Sequence, residues 1–135
     1  MLEFKDYFDE KKCYLAQLIK MAKADEQLNM AENMWLNFVT VSMGITPGEL
    51  NEISQNLEKF HFSAPIDEKE RFFMFFRLIQ LMKVDLHINE KELELCREMG
   101  LKLHISGEKV DKALAFVKDN ERNLIAFEDV CTLLK

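Results

Sequence analysis

A chain of 135 residues, 48% hydrophobic with only 4 Gly and 2 Pro, can bury about two-thirds of its unfolded surface without disulfides or metals, and its composition argues against a turn-rich all-β fold. The net charge of −6, with no basic cluster, argues against nucleic acid and anionic membranes as partners, because phosphate contacts need concentrated Lys and Arg. The most apolar stretch, RFFMFFRLIQLMKVD, is broken by Arg77, Gln80 and Lys83, well short of the ~20 apolar residues of a membrane span.

The opening segment, MLEFKDYFDEKK, mixes acids and bases and lacks the order of a signal peptide. Three cysteines, Cys13, Cys96 and Cys131, are an odd number without close spacing. Cys96 and Cys131 fall at core positions, and all three read as buried free thiols in a reducing compartment. A cytoplasmic location is expected.

In chain order, the first helix ends at an acidic turn, KADEQLNMAE (residues 23–32), which returns as KVDLHINEKE (residues 83–92). Asp25 pairs with Asp85, Asn29 with Asn89 and Glu32 with Glu92, always 60 residues apart. The same offset pairs Leu18-Ile19 with Leu78-Ile79, Leu28 with Ile88 and Ile45-Thr46 with Ile105-Ser106. Apolar character persists where identity does not, as in Leu36/Cys96, Val39/Met99 and Leu50/Val110. Agreement over some thirty positions marks an internal duplication, with repeat one at about 6–60 and repeat two at about 66–120.

Each repeat reads as three helices. The second carries an i, i+3, i+7 stripe, Leu36, Val39 and Met43, mirrored by Cys96, Met99 and Leu103, and should stop at Gly44 in one copy and near Gly100 in the other. The third opens at Thr46-Pro47-Gly48-Glu49 with Thr46 as cap, Pro47 in the first turn and Glu49 closing a capping box; Ser106 begins its counterpart. Leu50, Ile53, Leu57 and Phe60 should share one face of this helix, and Val110, Ala113, Leu114 and Val117 one face of the other. FHFSAPID (residues 60–67) is too short and too apolar to separate independent domains, so one core is expected for both halves. The first helix of repeat two starts at Asp67, which has capping-box spacing to Glu70; apolar nearly all round, it should be central. After the polar run KDNERN, Phe127, Val130, Cys131 and Leu134 mark a closing helix at about 126–134. The fold class is an all-α bundle of about seven helices.

The duplicated turn has two readings. In the structural one, Asn29 and Asn89 are N-caps with Glu32 and Glu92 at the third helical position, and Asp25 and Asp85 gain from the positive end of the following helix. In the other, Asp25, Glu32, Asp85 and Glu92 supply oxygen ligands to a divalent cation, Ca²⁺ or Mg²⁺. Neither turn is an EF-hand. With Asp25 as first loop position, Met30 falls where Gly is required and Leu36 where a bidentate Glu must sit; Glu90 and Cys96 fail likewise in the second copy.

Asp25-x6-Glu32 after LIKMAKA, repeated as Asp85-x6-Glu92 after LIQLMKV and followed by a helix, a GIT or HIS break and another helix, resembles the TerB-like tellurite-resistance family from about Leu15 to Val117. The resemblance implies a compact helical bundle with internal pseudo-symmetry, acidic residues proposed to bind metal, and a bacterial setting of stress or of tellurite and metal resistance. Ala22, Ala24, Asp25 and Glu32 match the family motif in the first copy, and Asp85 and Glu92 in the second; the glycine usual after each Asp is Glu26 and Leu86 here.

No motif supports an enzyme. A Gly-rich phosphate loop is absent, His61, His87 and His104 are scattered, and no Ser or Cys has a His at triad spacing. His87 near Asp85 falls short of the three or four ligands zinc requires. The favoured reading is a non-enzymatic helical module that binds a protein partner, with weak divalent-cation binding as the alternative and an enzyme of unrecognised type as the second alternative. Trp35 and the Phe60-His61-Phe62 corner are the features that could meet a partner, though apolar residues at helical spacing are more often core.

Overall fold

The computed structural model describes residues 7–23, 30–83, 88 and 90–135, with side chains in the second helix from residue 33 onward. Among these residues the chain is all-helical, with no strand, in the order α1 (Glu10–Lys23), α2 (Met30–Ser42), α3 (Pro47–Gln55), α4 (Glu68–Met82), α5 (Glu90–Lys102), α6 (Gly107–Asp119) and α7 (Phe127–Leu134). None of these helices is long and apolar enough to cross a membrane. The chain divides into two compact units, Met1–Ser63 and Ala64–Lys135, with the boundary inside FHFSAPID.

In the first unit, Asp9 opens α1 by accepting the Lys12 N–H at 3.1 Å. Helix α1 buries Leu15, Leu18, Ile19 and Ala22 against α2, α3 and the 3-10 turn Leu57–Lys59. Helix α2 buries Trp35, Leu36, Val39 and Thr40. It closes in a Schellman turn: the Ile45 N–H reaches the Thr40 carbonyl at 3.2 Å and the Gly44 N–H the Val41 carbonyl at 3.0 Å, with Gly44 at φ 73. Thr46 and Glu49 then form the expected capping box, the Thr46 hydroxyl taking the Glu49 N–H at 3.1 Å and the Glu49 carboxylate the Thr46 N–H at 2.9 Å.

Helix α3 is shorter than its apolar spacing predicts. The Asn56 side-chain amide donates to the Glu52 carbonyl at 2.7 Å, satisfying a terminal acceptor and ending the helix at Gln55. Phe60 still reaches full burial, after the 3-10 turn.

In the second unit, Asp67 caps α4 by accepting the Glu70 N–H at 3.2 Å. Helix α4 packs on α5 and α7, and α6 packs on both of these. Part of the nearly all-round apolar surface of α4 packs on α7, whose Phe127 meets Phe73 and Phe76 edge-on at 5.7 and 5.5 Å between ring centroids, while Phe73 stays 49% exposed. Val130 and Leu134 of α7 are buried, whereas Cys131 is only half-buried.

Helix α5 ends at Lys102, two residues past Gly100. Gly100 is buried inside it, and a Cβ there would meet Val110 Cγ2 at 2.8 Å and Phe75 Cε1 at 2.9 Å. This glycine permits the close approach of α4, α5 and α6. The Schellman turn falls instead on His104, a non-glycine residue at φ 62, with the Ile105 N–H donating to the Gly100 carbonyl at 3.1 Å and the His104 N–H to the Leu101 carbonyl at 3.0 Å. Ser106 then caps α6 by accepting the Lys109 N–H at 3.4 Å.

Candidate functional site

The helices flanking both acidic turns are in place. Helix α2 begins at the residue after Asn29, and α5 at the residue after Asn89. Asp25, Asn29, Asp85, His87 and Asn89 themselves lie outside the described residues, as does the side chain of Glu32. Of the four carboxylates assigned to a cation or to capping, Glu92 is the one whose side chain is described.

Glu92 is the third residue of α5 and only 4% exposed. One helical turn later stands Cys96, fully buried, its Sγ 3.8 Å from Met82 Sδ on α4. Burial first, and then the nearby charge of Glu92, push the Cys96 thiol up, so it stays protonated at neutral pH and behaves as core rather than as nucleophile or ligand. Among the described residues no group of three or more His, Cys, Asp or Glu side chains gathers as a metal site would require.

Lys83 and Ile88, the described residues of the second turn before α5, are tied to the α6–α7 loop. Lys83, directly after α4, donates to the Asn120 carbonyl at 2.7 Å and also to the Asn123 carbonyl. Glu121 Oε1 accepts the Ile88 backbone N–H at 2.6 Å, and Ile88 is buried. The loop that reads in sequence as a bare polar run therefore places a carboxylate against the chain leading into α5. No periodicity announces such contacts, because the partners are 33 to 40 residues apart.

A second feature lies on α2. Of the aromatic residues singled out in sequence, Trp35 and Phe60 are core, 3% and 0% exposed, with Phe60 edge-on to Tyr7 at 5.3 Å, whereas Phe62 is half-buried beside Tyr14 at 5.6 Å. The opposite side of α2 carries Met34, Phe38 and Val41 at i, i+4 and i+7, exposed by 53%, 43% and 75%. Between them lie exposed Asn33, Asn37 and Ser42, so from residue 33 onward α2 carries no charged side chain. The comparable face of α5 carries Glu94, Arg97, Glu98 and Leu101. Arg97 there pairs with Asp111 at 2.8 Å, the ordinary dress of a solvated helix surface. The apolar stripe Leu36–Val39–Met43 draws attention to the buried side of α2; the signal for the other side is its lack of charge.

Comparison of the chain with models of known protein families, with curated proteins and with solved structures finds no match in any of the three.

Proposed function

We propose that this chain is a TerB-like helical module, built from two copies of a three-helix unit, that acts by holding a protein partner on the uncharged face of α2. The observation that carries this reading is the contrast between α2 and α5. Both helices are 13 residues long, and both bury positions 60 residues apart, Trp35 with Leu95, Leu36 with Cys96 and Val39 with Met99. Their outer faces diverge, one apolar and uncharged, the other charged.

A solvated helix gains nothing from exposed Met, Phe and Val. Interface cores, by contrast, are depleted of charge and enriched in Met and aromatic side chains. At about 200 Å² for side chains of this size, the exposed parts of Met34, Phe38 and Val41 come to roughly 300 Å², within the range of functional patches on monomers. That is well under the ~800 Å² per partner of a stable dimer. The patch suits a transient partner that presents an apolar helix of its own rather than a second copy of this chain. No catalytic chemistry is assigned to the module, and a bacterial stress or tellurite and metal-resistance setting is part of the same proposal, resting on the resemblance carried by the duplicated Asp-x6-Glu turns.

The test is site-specific photo-cross-linking in cells of the source. A photoreactive residue at Asn37, amid the stripe, should give one discrete adduct, and the same residue at Glu98 on α5 should give none. Equal adducts from both positions, or none from Asn37, would refute the reading.

A further inference from the structure

Helix α7 is 8 residues long, below the ~12–15 at which an isolated helix is even marginal in water, so it holds its shape only while docked on α4 and α6. Val130 and Leu134 are buried in that docking, and the half-buried Phe127 meets Phe73 and Phe76. The start of α7 is weakly held. Ala126, at the N-cap position, has no side-chain oxygen to accept a helix N–H, and the Asp129 carboxylate reaches the Ala126 N–H at 3.4 Å.

The connection from α6 is fixed at one end and free at the other. The carbonyls of Asn120 and Asn123 both accept from the Lys83 ammonium, and the Asn123 N–H returns to the Asn120 carbonyl at 3.0 Å. Leu124 and Ile125 make no hydrogen bond with any described residue; Leu124 is fully exposed and Ile125 half-buried. These two residues are where the chain turns most cheaply, because no backbone hydrogen bond is lost there.

The rest of the second unit is held together without α7. Gly100 of α5 admits Phe75 of α4 and Val110 of α6, and Cys96 of α5 touches Met82 of α4; α7 supplies none of these atoms. The first unit is likewise compact, with α1, α2, α3 and a 3-10 turn and no fourth α-helix among its described residues.

We propose that α7 is a hinged strap, turning at Leu124-Ile125 away from α4 and α6 while α4, α5 and α6 stay packed on one another. Its opening bares Phe76 and the covered part of Phe73, an aromatic face that Phe127 otherwise screens. Local openings of this kind cost less than unfolding of the whole unit, because they release few buried side chains. The strap lies in the second unit and does not rest on the reading of the α2 face.

Native-state hydrogen exchange of the full chain tests it. After correction for intrinsic rates, the amide protons of Cys131 to Leu134 should exchange at least about tenfold faster than those of Ile79 on α4 and Ala113 on α6. Ser106→Ala removes the cap of α6 at an exposed position and should speed Ile79 and Ala113 about fivefold, the effect of a lost N-cap on the unfolding equilibrium. Val110→Ala, at the contact with Gly100, should speed them further. The α7 protons should keep their wild-type rates in both variants, so the ratio of the two sets should fall. Equal rates in the wild type, or a ratio unchanged by both variants, would show that α7 opens only with the rest of the unit and would overturn the proposal.

Discussion

Gly100 of α5 faces Val110 of α6 so closely that a Cβ on the glycine would stand 2.8 Å from Val110 Cγ2. Phe75 of α4 crowds the same point at 2.9 Å. Gly100→Ala should therefore destabilise the chain by ~1–3 kcal/mol, the usual cost of overpacking a filled core, even though Ala is the better helix former. Val110→Ala added to it should relieve the clash, so that the double variant is more stable than the two single losses predict together. Chemical denaturation of the four proteins measures this; strict additivity would mean that the contact is not the cause.

Two turns of like geometry allow a paired test of backbone strain. Gly44 and His104 both hold positive φ, 73 and 62, a region that disfavours side chains with a Cβ by ~1–2 kcal/mol. A Cβ on Gly44 would touch nothing within 4 Å, so Gly44→Ala should cost ~1 kcal/mol from the backbone alone. His104→Gly should stabilise by a few tenths to ~1 kcal/mol, the relief of strain exceeding the added freedom of the unfolded chain. Opposite signs are the expectation, read from shifts in unfolding midpoint.

At the start of α3, Thr46→Ala should cost ~1 kcal/mol, the ordinary value of a lost N-cap. The Thr46 N–H, and then Lys12, 3.1 Å from the Glu49 carboxylate, hold Glu49 below the usual carboxylate pKa. A carboxyl with a lowered folded pKa adds stability that is present above its unfolded pKa and is lost as pH falls through the folded one. The gap between wild type and Glu49→Gln should accordingly narrow as pH drops below about 4.5. Unfolding midpoints at pH 7 and pH 3 test the sign.

The duplicated acidic turn is tested by adding Ca²⁺ or Mg²⁺. Each turn lacks the sixth-position Gly and twelfth-position Glu of an EF-hand, leaving it short of the six to eight oxygens Ca²⁺ prefers. Titration to about 10 mM should give only the non-saturating response that screening gives any acidic protein, and Asp25→Asn/Asp85→Asn should respond identically. A saturable rise in midpoint lost in the double variant would assign those residues as ligands.

Local chemistry was legible in the sequence. Thr46, Asp67 and Ser106 each announce a helix start through side chains that satisfy N–H groups three residues on, and each does so in the structure. Gly100 was legible only as a terminator, because a glycine near a helix end looks the same whether it turns the chain or admits a neighbour; Val110 and Phe75 decide between the two. The contacts of Lys83 with Asn120 and of Ile88 with Glu121 join residues far apart in the chain and leave no trace in spacing. Cys131 looked like core by period, yet it sits where α7 turns half toward solvent. Met34, Phe38 and Val41 were hidden for a related reason: periodicity finds the face that is buried, and a second apolar face on the same helix reads as noise until exposure is known.

The central claim, that the outer face of α2 exists for a partner, is tested most directly by giving it the residues of α5. Met34→Glu/Phe38→Glu places on α2 the side chains that Glu94 and Glu98 place on α5. Both positions are exposed, so the unfolding midpoint should stay within about 2 °C of wild type, a check that the fold is intact. The decisive measurement is the yield of the cross-linked adduct from Asn37 in this background. Loss of the adduct from a folded protein is the predicted result; an adduct of undiminished yield would contradict the account.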